Sequence, residues 1–354
     1  MNTPSKPVSS HRISELDALR GLAAIGVLIY HFTTRFEEMF GRSQPVYANI
    51  PWGEHRVALF FMLSGYVIFM TLERTRSVGE FVVGRFSRLY PAFWASVIMT
   101  FLVVRMFGLP GQEATVRELG YNFTMMPRLW RALMVDGAYW SLEFELWFYG
   151  AMIVLYSLGA FRHIVKVLTC WLVLALVSNW FFLYGDEGSF FVQFMGKLKA
   201  LTSLQYIHLF AIGMVFYDVR RTGNWTRGHV WVLAMCAVIV FWILPVVVAT
   251  IVCVLAAILY AATTGRLPFL NARPLLWFGF ISYPLYLIHQ NIGYVLLRWF
   301  DGNGWNPNLG VLAASLLSIA LASLITYTIE RPVMQFIRGM MKRKSQVQPV
   351  AVTT

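Results

Sequence analysis

Arg20 and His31 stand eleven positions apart in one apolar run, Leu16 to Phe32. At about 100° and about 1.5 Å per helical residue, they fall within about 20° of a common face and about 16 Å apart along the axis. A guanidinium binds anions and an imidazole exchanges protons near neutral pH, so the stripe suits a site that holds an anionic carrier at one end and moves a proton at the other. The plainer reading stays open, with Arg20 an interfacial anchor and His31 a structural histidine. In Trp140-Ser141-Leu142-Glu143-Phe144-Glu145 two carboxylates enter another apolar run. A spacing of two puts them on different faces of a helix, so they do different work. Glu145 reaches a depth similar to that of His31, where a carboxylate orients an imidazole and raises its basicity. Glu143 reads equally as a helix N-terminal acid favoured by the dipole. His289, about fourteen residues into a later run, comes to comparable depth, with structural and functional readings even; His208 reads as structural. Arg85 and Arg88 are neighbours on one helical face. They are placed either to clamp a phosphate bidentately or to anchor a cytoplasmic helix end, and Tyr90-Pro91 behind them argues for a kink.

The elements that position these residues are set by a sequence that is 58% hydrophobic and 13% charged over 354 residues, with a mean hydropathy of +0.60. A soluble domain of this size cannot bury so much apolar surface. The 28 Phe, 16 Tyr and 13 Trp fit a chain whose solvent is lipid. The expected fold is all-α, a polytopic transmembrane bundle of about ten helices. The spans fall near 16–32, 57–72, 89–107, 140–158, 164–184, 203–217, 229–244, 246–263, 275–298 and 309–329. The run from Val230 to Thr264 is too long for one crossing and is divided at Pro245. With this layout the larger share of the 29 Lys and Arg residues lies on the side of both termini, which the positive-inside rule makes cytoplasmic. The chain divides into a cytoplasmic tail over 1–14, a membrane domain over 15–338 and a basic, then polar tail over 339–354, expected to be disordered. No small-residue cleavage site follows the first run, which reads as a retained helix. No internal repeat and no long hydrophilic stretch is present, so any chemistry belongs to the membrane domain. Cys170, Cys236 and Cys253 lie in apolar runs with neither metal-ligand spacing nor a disulfide framework, and no metal is expected. The net charge of +12 is that of cytoplasmic loops, so no nucleic-acid partner is expected.

Leu16-Asp17-Ala18-Leu19-Arg20-Gly21 running to Tyr30-His31 resembles the opening signature of the bacterial acyltransferase-3 family. The resemblance continues through Phe60-Phe61-Met62-Leu63-Ser64-Gly65-Tyr66, Arg85 and Arg88 with Leu89-Tyr90-Pro91, Trp140-Ser141-Leu142 with Glu145, Ser282-Tyr283 with Tyr286 and His289, and Glu330-Arg331-Pro332. Six ordered blocks cover nearly the whole chain. The resemblance implies an inner-membrane O-acyltransferase that moves an acyl group, commonly acetyl, from cytoplasmic acyl-CoA to a hydroxyl of a surface or secreted glycan or another acceptor. It implies that His31 and Arg20 are essential, that Arg85 and Arg88 are needed and that Glu145 is the family glutamate. The expected catalytic set is His31, Glu145, Arg20 and Asp17, with donor binding by Arg85, Arg88 and Arg20 and substrate binding by Glu143, Trp140, Ser141, Tyr283 and His289. Where the family often has two adjacent acids, this sequence has Glu145-Leu146, with Glu143 two positions earlier. The hydrolase-like outer domain of some members is absent, so a stand-alone enzyme is expected.

In the chemistry these implications describe, acyl-CoA phosphates rest on the arginines, the pantetheine arm reaches toward His31, and Glu145 orients the imidazole. His31 acts as general base on the acceptor hydroxyl or as a transient acyl carrier. The rival reading from another class is a proton-coupled transporter or flippase of a lipid-linked saccharide, against which the lack of paired halves stands. Lipid-linked saccharide, exopolysaccharide and small hydroxylated acceptors remain open, as do the acyl group and the oligomeric state.

Overall fold

The computed structural model describes residues 13–47, 50, 57–186, 188–201 and 203–347. The expected tail over 1–14 lies almost wholly outside these residues, as does the end of the expected tail over 339–354. No strand occurs among the described residues. The helices are α1 (Ser14–Tyr30), α2 (Phe36–Phe40), α3 (Val57–Arg74), α4 (Val78–Phe107), α5 (Val116–Asn122), α6 (Trp140–Ser157) and α7 (Ile164–Tyr184). They continue as α8 (Phe190–Leu201), α9 (Ile207–Thr222), α10 (Arg227–Ile243), α11 (Val246–Thr263), α12 (Arg273–Gly302), α13 (Pro307–Ile325) and α14 (Arg331–Val347). Each expected span coincides with one of them, and Pro245 separates α10 from α11 as its missing N–H and fixed φ require. The fold is an all-α polytopic membrane bundle. Among the described residues, six stretches are long and apolar enough to cross a membrane by themselves: Ser14–Phe40, Val57–Arg74, Val78–Phe107, Ala160–Tyr184, Val246–Thr263 and Pro307–Met340. The helices α6, α9 and α12 carry the carboxylates, histidines and arginines that lower their hydropathy.

Two compact units make up the chain. The first takes in the described residues of Met1–Ala23, His55–Arg74 and Phe144–Gly279, and the second those of Ala24–Glu54, Thr75–Glu143 and Phe280–Thr354. In the first unit α3 packs along α9, which is buried continuously from Ile207 to Val219. A Cβ placed on Gly65 would clash with the carbonyl of Phe210, and one on Gly213 with the carbonyl of Met62. The two backbones meet here because neither residue has a side chain, the close small-residue crossing by which membrane helices associate. Gly21 and Gly279 make a second such approach, the latter against the carbonyl of Asp17. The turn from α9 to α10 is tied by charge: Arg221 pairs with Glu73 and Asp218, and the other oxygen of Asp218 accepts from His229 Nε2 at 2.9 Å.

In the second unit α4 begins at a Ser77 cap, whose Oγ accepts from the N–H of Glu80 at 3.2 Å while the Glu80 carboxylate accepts from the N–H of Arg76 at 3.1 Å. This Ser-x-x-Glu signature starts the helix well before the expected 89, so Arg85 and Arg88 lie inside it rather than at its end. Pro91 is likewise interior to a helix that continues to Phe107. At the other end of the chain, α13 passes through a π-helical turn, Thr326–Glu330, into α14, which runs beyond Arg338 to Val347 where disorder was expected. Val333, Met334 and Ile337 recur at helical spacing, Met334 is buried, and α14 packs on α4.

The segment before α6 is fastened to α12. Asp136, fully buried, accepts the N–H of Ala138 at 2.9 Å and that of Asn291 at 3.0 Å, and the Asn291 amide donates to the carbonyl of Val135. Burial pushes the Asp136 carboxyl up to about 7, against the opposing pull of the two N–H donors.

Two measurements check these arrangements. Gly65→Ala is expected to lower the melting temperature in detergent by several degrees, because an overpacked contact costs about 1–3 kcal/mol. Gly150→Ala, which enters open space within α6, raises it slightly or leaves it unchanged. Because the folded pKa of Asp136 lies above the ordinary aspartate value, the fold holds that proton more tightly than the unfolded chain does. The contribution of Asp136 to stability is therefore greatest below about pH 4, declines as pH rises toward about 7 and levels off above it. Asp136→Asn removes that decline in a pH series of thermal unfolding.

Candidate functional site

His31 opens a π-helical turn, His31–Arg35, that interrupts the first span immediately after α1. A π turn inserts an extra residue and re-aims the side chains around it, which is why such turns recur at functional positions. His31 is partly exposed, and its Nδ1 lies 3.0 Å from the carbonyl of Val27 and 3.0 Å from Nε2 of His289. The two imidazoles meet edge to face with centroids 4.9 Å apart. His289 is fully buried in α12, its Nδ1 lying 2.8 Å from the carbonyl of Tyr286 and 3.2 Å from that of Leu285. Phe32 packs beside it because Gly293 has no Cβ to collide with the Phe32 ring. Arg42 donates to the carbonyl of Phe32, and its guanidinium lies 4.6 Å from the centroid of Phe36.

The start of α6 joins the same unit. Tyr286 OH donates to the carbonyl of Ala138 at 2.7 Å, so the 2.7 Å contact with Ser141 is a bond donated by the serine. Tyr283, one turn earlier, donates to the carbonyl of Leu89 at 3.1 Å and so links α12 to the helix bearing Arg85 and Arg88. Trp140 opens α6. Glu143 is buried and accepts from Arg128 Nε at 2.8 Å, which makes it half of an ion pair. Arg85 lies 5.6 Å from the ring centroid of Phe81, one helical turn before Arg88.

In the first unit Glu145 accepts from the hydroxyls of Ser64 and Tyr149. Asp17 and Arg20 pair along α1 at 3.3 Å. No grouping of His, Cys, Asp and Glu suited to a metal ion occurs among the described residues.

Within the second unit the imidazole of His31 lies against the carbonyl of Val27 and the ring of His289. Within the first, the carboxylate of Glu145 is engaged by two hydroxyls. His289, expected to bind substrate, has both ring nitrogens committed to protein groups and no exposed surface. Ser64 and Tyr149 went unrecognised as partners of Glu145. The latter was legible, since residues four apart share a helical face; the former required the tertiary fold.

Removing the Tyr286 hydroxyl tests the linkage of α6 to α12. Tyr286→Phe leaves the carbonyl of Ala138 and the hydroxyl of Ser141 without their partner and is expected to cost about 1–3 kcal/mol. Ser141→Ala, which removes only one donor, costs less; denaturant titrations of the two variants in micelles give the comparison.

The family described as an acyltransferase domain matches residues 13–327 of this chain. Nodulation protein 10 of Rhizobium leguminosarum bv. viciae is 24% identical over 386 residues, covering 97% of this chain and 99% of that protein. A protein of Acidianus two-tailed virus named as an acetyltransferase is 23% identical over 144 residues. The chain spans only 41% of that relative's length. No solved structure matches. The family match takes in the histidine pair, both arginines of α4 and the acids of α6, and the chain belongs to the acyltransferase-3 family.

Proposed function

We propose that this protein is an integral-membrane O-acyltransferase that moves an acyl group, acetyl in the first instance, from cytoplasmic acyl-CoA to a hydroxyl of a cell-surface or secreted glycan. Family membership supports acyl transfer, and the name of the viral relative supports acetyl. The observation that carries the reading to particular residues is the half-buried His31 in the π-helical turn after α1, its Nδ1 3.0 Å from the carbonyl of Val27 and 3.0 Å from His289 Nε2.

In this reading both termini face the cytoplasm of a bacterial inner membrane, where the arginine-rich start of α4 meets the donor. Arg85 and Arg88, one turn apart, take the phosphates of acyl-CoA, and Arg20 and Asp17 keep the roles that the matched opening motif implies. His31 is the general base. As the acceptor oxygen bonds to the thioester carbonyl carbon, its proton moves to His31; the C–S bond then breaks, and the leaving thiolate takes that proton as the ester forms. Trp140, Ser141 and Glu143 at the start of α6, with Tyr283, belong to the acceptor side. Glu145 keeps a catalytic role as the glutamate of the matched motif. No metal takes part in the proposed step.

The ester-linked acyl content of the host's surface and secreted glycans, measured by mass spectrometry in a deletion strain, tests this. Wild type restores an acyl ester that His31→Ala does not, and purified His31→Ala transfers about 10²–10⁴-fold more slowly from acetyl-CoA. Full complementation by the histidine variant would overturn the mechanism. An acylated His31 peptide trapped with donor alone would replace direct attack by a covalent route.

A further inference from the structure

His289 lies among buried polar residues of α12 with Gln290 and Asn291 and touches no open surface, and the general-base step above has no use for a second histidine in contact with substrate. Its bonds give it a different task. The two groups facing Nδ1 of His289 are carbonyl oxygens, of Tyr286 at 2.8 Å and Leu285 at 3.2 Å. Carbonyls only accept, so in the neutral ring the proton sits on Nδ1 and Nε2 presents a lone pair. That lone pair faces Nδ1 of His31 at 3.0 Å, and the other group on the same nitrogen is again a carbonyl, that of Val27 at 3.0 Å. Nδ1 of His31 therefore carries its proton toward two acceptors, and Nε2 of His31 is left bare.

We infer that His289 is a positioning residue that holds His31 in the tautomer with Nδ1 protonated and Nε2 free, so that the partly exposed ring is a base at Nε2. The direction of the chain is set by backbone. Were His289 protonated on Nε2 instead, it would donate to His31, move the proton of that ring to Nε2 and abolish its basicity there; the carbonyls of Leu285 and Tyr286 prevent this. When His31 accepts a proton on Nε2, its Nδ1–H points at a neutral nitrogen and a carbonyl, both of which stabilise the imidazolium. A histidine here does the orienting work that a carboxylate does in the Ser-His-Asp arrangement. The ring faces Tyr30 and Tyr294 at its edges, with Arg35 one turn further along, the last engaged by Glu38 at 3.0 Å.

The assignment rests on the acyltransfer reading only for what the bare nitrogen does. Nitrogen-15 NMR of histidine-labelled full-length protein in nanodiscs reads protonation without turnover, with His31→Ala identifying the His31 signals. Both rings are expected to show a protonated Nδ1 and an unprotonated Nε2, and a proton found on Nε2 of His31 would overturn the inference. In acetyl transfer, His289→Leu is expected to lower kcat about tenfold or more, equivalent to about 1.4 kcal/mol, while KM for acetyl-CoA stays within about twofold. His289→Gln, whose side-chain oxygen takes the place of Nε2, recovers part of kcat. Equal rates for the leucine variant and wild type, or no recovery with glutamine when both variants elute and melt as wild type, would also overturn it. If the spectrum is as expected and His31→Ala transfers normally, the tautomer assignment stands and the general-base reading falls.

Discussion

Helix backbones in this protein meet where glycine leaves out a side chain, and much of the remaining architecture follows from that. Apolar helices in lipid gain little by excluding lipid from one another, so association depends on close packing and on polar contacts made within the protein. Gly65 and Gly213 bring α3 and α9 to backbone contact, and the residue beside Gly65 is Ser64, whose hydroxyl reaches Glu145. Gly21 and Gly279 do the same for the start of α1 and the start of α12. In the second unit Gly293 admits the ring of Phe32 beside His289, and Gly137 admits the side chain of Gln290. Ser64 and His289 thus each lie beside a position where a methyl group would collide with the neighbouring helix.

The same solvent explains why so many polar side chains are paired. A buried donor or acceptor without a partner costs more in a medium that cannot hydrogen-bond than it would at a water-facing surface. Glu143 meets Arg128, Glu145 meets two hydroxyls, Asp218 meets His229 and Arg221, and Tyr286 closes a chain from Ser141 to a backbone carbonyl. The histidine pair differs in one respect. Its bonds consume both nitrogens of His289 and only Nδ1 of His31, which leaves the partly exposed ring with the capacity for chemistry.

Several features were legible from residue types and spacing. The helical spans followed from apolar run length, the break at Pro245 from proline stereochemistry, and Arg20, His31, Glu145 and His289 from the cost of ionisable groups in such runs. The start of α4 was also written in Ser77 and Glu80, yet hydropathy alone overlooked it because the first turns of that helix are polar and carry Arg85 and Arg88. In α14 the apolar period at Val333, Met334 and Ile337 was masked by the basic residues between them.

By itself the sequence determined that the chain is an all-α membrane protein, which apolar runs are helical, and which few side chains are too polar for their surroundings, because run length and local spacing act over one helix at a time. Only the tertiary structure decided the partners. His31 and His289 are 258 positions apart, and Ser141 and Tyr286 are 145 apart. Helical periodicity gives the face and depth of each residue but carries no information on which distant helix that face meets. Packing within the second unit set His289 against the His31 ring.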